Sequence, residues 1–183
     1  MEEWMSITEQ PPSKTDWSRA STKELIAHVL DRYHVRHREQ LPKLIHLAEK
    51  VERVHAAHPD IPTGLALHLT NMLQELEGHM QKEERILFPM LMRGQGAMAT
   101  GPIYVMESEH VQHMEALEKM LMLAHHLRLP DDACNSWRAL YLGVGELRDD
   151  LMEHIRLEND ILFKQQASSS ENRCCGGCGG GVH

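Results

Sequence analysis

The sequence predicts an all-α protein, an antiparallel up-down-up-down four-helix bundle. Three observations predict it. Apolar residues recur at the helical period of 3.6, with almost no strand-like alternation. Capping and breaking residues divide the chain into four long stretches joined by short links. The chain carries 12 Met against three Trp, three Tyr and two Phe, a balance that suits helices packed by flexible side chains.

The first helix is predicted from about Thr22 to about Ala57. Ser21-Thr22-Lys23-Glu24 reads as a capping box, and Leu25, Ile26, Val29, Leu30 and Tyr33 form one stripe. Pro42 should kink or split this run, and His58-Pro59-Asp60-Ile61-Pro62 ends it. The second helix runs from about Gly64 to about Met92, with Thr63 as its cap. Pro89 breaks its last turn and Arg93-Gly94 closes it. The third starts at Pro102, a residue suited to a first turn, and reaches about Leu127. The fourth follows Pro130, with Asp131 as its cap, and reaches about Gln165. The expected organisation is a loose N-terminal arm over 1–18 with Trp17 as its anchor, a four-helix domain over 19–166, and a disordered Ser/Gly/Cys-rich tail over 167–183.

A length of 183 residues suits one domain. With 42% hydrophobic and 25% charged residues, the chain reads as globular rather than disordered or membrane-embedded, and it holds no apolar run of about 18 residues. Residues 1–20 have no secretory apolar core, so a cytoplasmic location is expected. A formal net charge of −8 without a basic stripe argues against a duplex nucleic-acid binder and suits a protein that gathers cations. Cys134 stands alone, and Cys174, Cys175 and Cys178 crowd the last ten residues. That is no distributed disulfide framework.

Fourteen histidines are a heavy load for this length. The second helix reads His79-Met80-Gln81-Lys82-Glu83 and the fourth His154-Ile155-Arg156-Leu157-Glu158. Each is His-x-x-x-Glu, which puts both side chains on one helix face a turn apart. The same apolar sequel follows, Ile86-Leu87-Phe88 and Ile161-Leu162-Phe163. Counting outward from each predicted turn brings His34 and His110 to roughly the same level. Six side chains, His34, His79, Glu83, His110, His154 and Glu158, are thus expected in one layer of the bundle. Four imidazoles and two carboxylates fit a two-metal site, because imidazole takes Fe, Zn, Cu or Ni and a carboxylate can bridge two ions. One helical histidine is ordinarily surface or satisfied core, and one His-x-x-x-Glu a solvated pair. Two such phrases with the same sequel, and a levelled histidine on each remaining helix, set coincidence aside.

Other residues rank lower. Glu75, four before His79, and Glu109, directly before His110, are candidate acceptors for ligating imidazoles or linings of an access channel. His113, one turn from His110, is a candidate fifth histidine ligand. His55 lies 21 residues after His34, about 31 Å on a continuous helix, and would need a sharp reversal at Pro42 to take part. His37 reads as solvent-facing or as support for the ligands. His28, His46, His58 and His68 read as surface, and Cys134 as a small buried residue. Cys174, Cys175 and Cys178 form a weak metal-capable set.

At these residues the sequence resembles the hemerythrin-like (HHE cation-binding) domains. More narrowly it resembles the repair-of-iron-centres family of di-iron proteins, which protect or rebuild iron–sulfur clusters after nitrosative and oxidative stress. The resemblance spans about Asp16 to Phe163. It is carried by Arg32 through Pro42, Val51 through His55, His79 through Pro89, Gly101-Pro102-Ile103, Val105 through His110, and Asp149 through Phe163. It implies two iron ions in a non-haem, oxo- and carboxylate-bridged centre. Its terminal ligands would be His34, His79, His110 and His154, and its bridges Glu83 and Glu158. Family members usually carry an N-terminal domain with a Cys-Cys-Gly-Gly motif. Here such a domain is expected to be lacking, and Cys174-Cys175-Gly176-Gly177-Cys178 stands at the opposite end.

The expected function is repair of iron–sulfur clusters or supply of iron to them, with nitric oxide binding or reduction at the di-iron site. Damaged iron–sulfur proteins or scaffold proteins would be its partners, and nitric oxide and oxygen its small ligands. With four histidines, two bridging carboxylates and one bridging oxygen, each iron would have five ligands and keep an open position. The resemblance to oxygen carriers lacks their fifth histidine, which favours redox chemistry or iron release over oxygen carriage. The alternative is an oxygen or nitric oxide carrier or sensor without turnover, and a structural helical adaptor is a third class. The residues leave open whether turnover occurs and which metal is bound in the cell.

Overall fold

Ser21 starts the first helix through the predicted capping box: its hydroxyl accepts the Glu24 N–H at 3.3 Å, and the Glu24 carboxylate accepts the Ser21 N–H at 2.9 Å. The computed structural model describes residues 17–166, which form four long helices. Helix α1 joins α-helical Thr22–Val29 and Val35–Val54 through one wide π-turn, Leu30–His34. Helix α2 joins Leu65–Lys82 and Phe88–Met92 through a second π-turn, Glu83–Leu87. Helix α3 is Thr100–Leu123, without such a turn. Helix α4 is Asn135–Leu157, followed by a third π-turn, Glu158–Leu162, and a last helical stretch over 163–166. The helices pack as a ring: α1 against α2 and α4, and α3 against α2 and α4. That is the predicted four-helix bundle. No described helix is long and apolar enough to cross a membrane.

Several expected boundaries move. Pro42 neither splits nor ends α1, which is α-helical from Val35 through Val54. Its ring faces solvent, while Leu41 and Leu44 on either side are buried. Core packing by these neighbours outweighs the one lost backbone hydrogen bond. Gly64, with φ +85°, replaces Thr63 at the start of α2, in the left-handed region that costs glycine little. Pro89 does not break α2. The preceding π-turn lets the Phe88 N–H reach the Glu83 carbonyl five residues back, and the helix continues to Met92. Helix α3 begins before Pro102 and ends at Leu123, because His125, His126 and Leu127 all have positive φ (50°, 52° and 63°) and turn the chain. Cys134, not Asp131, precedes the first turn of α4.

Two apolar clusters fill the bundle. One lies toward the 55–64 and 124–134 links and includes Leu44, Val51, Leu69, Met120, Trp137 and Leu140. The other, at the opposite end, includes Leu25, Val29, Phe88, Leu91, Met106 and Phe163. Trp17 packs at that end, its ring 4.1 Å from the His28 ring. Between the clusters every helix presents buried polar side chains, His34 and His37 on α1, His79 and Glu83 on α2, His110 and His113 on α3, His154 and Glu158 on α4. The repeated phrase Glu-x-x-Ile-Leu-Phe folds alike in α2 and α4, as a π-turn that starts at the glutamate. The extra residue re-phases each helix. A buried carboxylate is thereby followed by two adjacent buried apolar residues, Leu87 and Phe88 or Leu162 and Phe163.

Candidate metal centre

Six side chains converge in this polar layer. His34, Glu83, His154 and Glu158 each offer a ligand atom within one 4.8 Å group, and so do His79, Glu83, His110 and Glu158. The two glutamates belong to both groups, and each histidine to one. His34 Nε2 lies 3.3 Å from Glu83 Oε2, and His79 Nε2 3.5 Å from Glu83 Oε1. His110 Nε2 and His154 Nε2 lie 3.1 and 3.2 Å from the two oxygens of Glu158. All six predicted ligands are therefore together, from four helices.

Their surroundings fit a metal. Both glutamates are 0% exposed, and among the described residues neither Oε of either makes a geometrically sound hydrogen bond; nor do His34 Nε2 and His154 Nε2. Buried carboxylates without compensation are costly, and lone pairs aimed at one point are what a cation satisfies. Three imidazoles have their outer nitrogen committed. Nδ1 of His34 donates to Glu84 Oε1 at 2.8 Å, Nδ1 of His79 to Glu109 Oε2 at 2.9 Å, and Nδ1 of His110 to Asn159 Oδ1 at 2.8 Å. This fixes the tautomer that turns the Nε2 lone pair inward.

The acceptors are themselves anchored. Arg38 binds Glu84 at 2.8 Å and Glu77 at 2.7 and 3.1 Å, and Lys82 binds Glu109. Burial pushes the Glu84 and Glu109 carboxyls up, but Arg38 with His34 in one case, and Lys82 with His79 in the other, hold both below the ordinary range. Burial likewise opposes the His79 cation, yet Glu83, Glu158 and Glu109 raise that imidazole to about 9. His34 is raised against burial by Glu83 and Glu84. The Glu158 carboxyl, which burial alone would push up, is held well below its ordinary value by His154 and His110. Without metal, protons take the place of cations in this layer.

Aromatic rings close the ends. Phe88 stacks on His34 at 5.9 Å and Phe163 on His110 at 6.0 Å, while Tyr33 lies parallel to His154 at 5.2 Å. His37 packs 5.4 Å from the His154 ring and His113 4.9 Å from His79. Neither belongs to a ligand group. Burial, reinforced by the neighbouring imidazoles, lowers His37 to about 2 and His113 to about 3, so both are neutral.

The lesser candidates divide. Glu109 accepts from His79, a candidate ligand. Glu75 is exposed, because the buried stripe of α2 runs Met72, Leu76, His79, Glu83 and leaves it outside. His55 sits at the far end of α1, its Nε2 3.1 Å from Cys134 Sγ. Cys134 is half-buried there rather than buried. His68, expected at the surface, is buried and donates to the Ala116 carbonyl at 2.8 Å. Cys174, Cys175 and Cys178 lie outside the described residues. Glu84 and Asn159 were not anticipated. The available signal was their position, since each directly follows one of the paired glutamates.

Residues 25–165 match the model of the hemerythrin HHE cation-binding domain. The chain belongs to the hemerythrin HHE cation-binding family. The chain is also 51% identical over 158 residues to the iron-sulfur cluster repair protein YtfE of Yersinia pseudotuberculosis serotype IB (strain PB1/+), covering 86% of this chain and 72% of that protein. It is 53% identical over 161 residues to YtfE of Citrobacter koseri, and equally so to YtfE of Escherichia coli O81 (strain ED1a), covering 88% of this chain and 73% of each relative. The hemerythrin-family match spans all four helices and all six converging residues.

Proposed function

We propose that this hemerythrin-family protein holds two iron ions and serves the repair of damaged iron–sulfur clusters. His34 and His154 would hold one ion, His79 and His110 the other, and Glu83 and Glu158 would bridge them. The observation that carries the reading is the double membership of the two glutamates, each with a carboxylate oxygen within 4.8 Å of the ligand nitrogens of both histidine pairs. A carboxylate shared by two imidazole pairs is the arrangement that binds two cations rather than one. The names of the relatives supply the biological context, iron-sulfur cluster repair.

Bound iron would supply Lewis acidity and one-electron redox chemistry toward a small ligand such as nitric oxide or oxygen. The chain's own residues do the rest. Glu84, Glu109 and Asn159 orient imidazoles, Phe88, Phe163 and Tyr33 exclude water, and the buried carboxylates offset metal charge. Damaged iron–sulfur proteins are the proposed partners, and the cytoplasm the proposed compartment.

Anaerobic reconstitution followed by metal analysis and an assay of an inactivated iron–sulfur enzyme tests this. Two irons per chain and recovery of the enzyme are expected. Two irons with reversible oxygen binding and no recovery would make the protein a carrier instead, and fewer than two ions would remove the basis of the reading.

A further inference from the structure

The two halves of the polar layer share a repeated set of residues and contacts. His34 and His37 on α1 correspond to His110 and His113 on α3, each His-x-x-His. His79 and Glu83 on α2 correspond to His154 and Glu158 on α4. Glu84 accepts from His34 as Asn159 accepts from His110. Phe88 stacks on His34 as Phe163 stacks on His110.

The repeat fails at the outer nitrogens of the α2 and α4 histidines. His79 donates its Nδ1–H to Glu109, the residue before His110. The matching residue before His34 is Tyr33, which stacks parallel to His154 with 3° between the rings and offers it no acceptor. His154 Nδ1 is buried and has no hydrogen-bond partner among the described residues. His37, against His154, likewise has neither ring nitrogen paired among the described residues, although it is 0% exposed.

From this break we infer that the two metal positions are unequal, and that the one held by His34 and His154 is the exchangeable one. The inference rests on the two-metal reading proposed above. An imidazole whose outer N–H is bonded is held in the ligating tautomer and orientation, and is a more basic ligand. Loss of such a partner ordinarily lowers metal affinity about 10- to 100-fold. His79 and His110 both have that support, whereas of the other pair only His34 does. A metal ion at His79 and His110 is therefore retained, while its neighbour is the one lost to a chelator or passed to a metal-poor acceptor.

The test is an anaerobic titration of the metal-free full-length protein with cobalt(II), followed by calorimetry and by the ring N–H resonances of the histidines. The first equivalent is expected to give large contact shifts at the His79 and His110 ring N–H protons. The second is expected to bind about tenfold or more weakly and to give that shift at His34. Asn159→Leu, which strips His110 of its acceptor, should bring the two binding steps together, while Asn159→Asp, which keeps an acceptor, should preserve the gap. Equal affinities in the unaltered protein, a first shift at His34, or a folded Asn159→Leu variant with the gap intact overturns the inference. Two equal ions overturn it alone, and fewer than two overturn it together with the two-metal reading. If Asn159→Leu does not fold, the order of shifts in the unaltered protein decides.

Discussion

Nε2 of His79 and Nε2 of His110 lie 3.0 Å apart across the α2–α3 contact. Each ring already donates its Nδ1–H outward, to Glu109 and Asn159. Two neutral imidazoles so committed present lone pair to lone pair, which is repulsive. The contact is relieved by a proton between them or by a cation beside them. Glu83 and Glu158, which both groups of four ligands share, pose a like demand, since their oxygens have no hydrogen-bonded partner among the described residues.

Because Glu83 and Glu158 each belong to both tetrads, replacing either should disturb both metal positions. If the proposed two-iron centre is present, Glu83→Gln and Glu158→Gln are expected to reduce bound iron to less than one per chain. His34→Ala should leave one. Metal analysis after desalting checks this, and retention of two ions by either glutamine variant would contradict the shared-carboxylate arrangement.

The acceptor role of Glu109 separates it from Glu75, its rival in the sequence. Glu109→Leu should weaken metal binding about 10- to 100-fold, since His79 loses the partner of its Nδ1–H. Glu75→Leu, at an exposed position, should leave binding unchanged. Competition with a chelator of known affinity measures both.

The metal-free protein should lose stability as the solution becomes alkaline. The His79 imidazole is raised from its ordinary 6.5 to about 9 by Glu83, Glu158 and Glu109 against the effect of burial. A group raised on folding contributes stability that is complete below its unfolded value and is lost as pH rises through its folded one. Thermal unfolding of the metal-free protein is therefore expected to fall by roughly 5 °C or more between the ordinary imidazole range and the raised value. In the metal-loaded protein the ion replaces the proton, so binding releases protons and the fall should vanish. Melting curves across that range, with and without chelator, test the difference.

Pro42 offers a purely structural test. It sits in the interior of α1 with its ring exposed, so Pro42→Ala restores a backbone N–H without removing core contacts. A gain of about 1–3 kcal/mol is expected, read as a rise in Tm with metal content unchanged.

Much of the centre was legible in the chain because helical geometry is local. His-x-x-x-Glu places its two side chains on one face whatever the helix packs against, so His79 with Glu83 and His154 with Glu158 could be paired before any fold was known. The matching level of His34 and His110 followed from counting residues out from the turns, and errors of a few residues at Thr63, Leu127 and Asp131 did not disturb it, since one layer tolerates a turn of slippage.

What depended on tertiary contact was not legible. The acceptors Glu84 and Asn159 serve histidines on other helices, a relation with no spacing in the sequence. The π-turns at Leu30–His34, Glu83–Leu87 and Glu158–Leu162 re-phase helices to suit the whole layer, and Pro42 is carried by its packed neighbours rather than by its own preference. Residue order alone decided the helices, the paired motifs and the layer at which they meet. Which nitrogen faces the centre, which imidazole is supported and which is left without a partner was decided only when four helices closed around the two glutamates, because hydrogen bonds and burial between segments exist only once those segments are in contact.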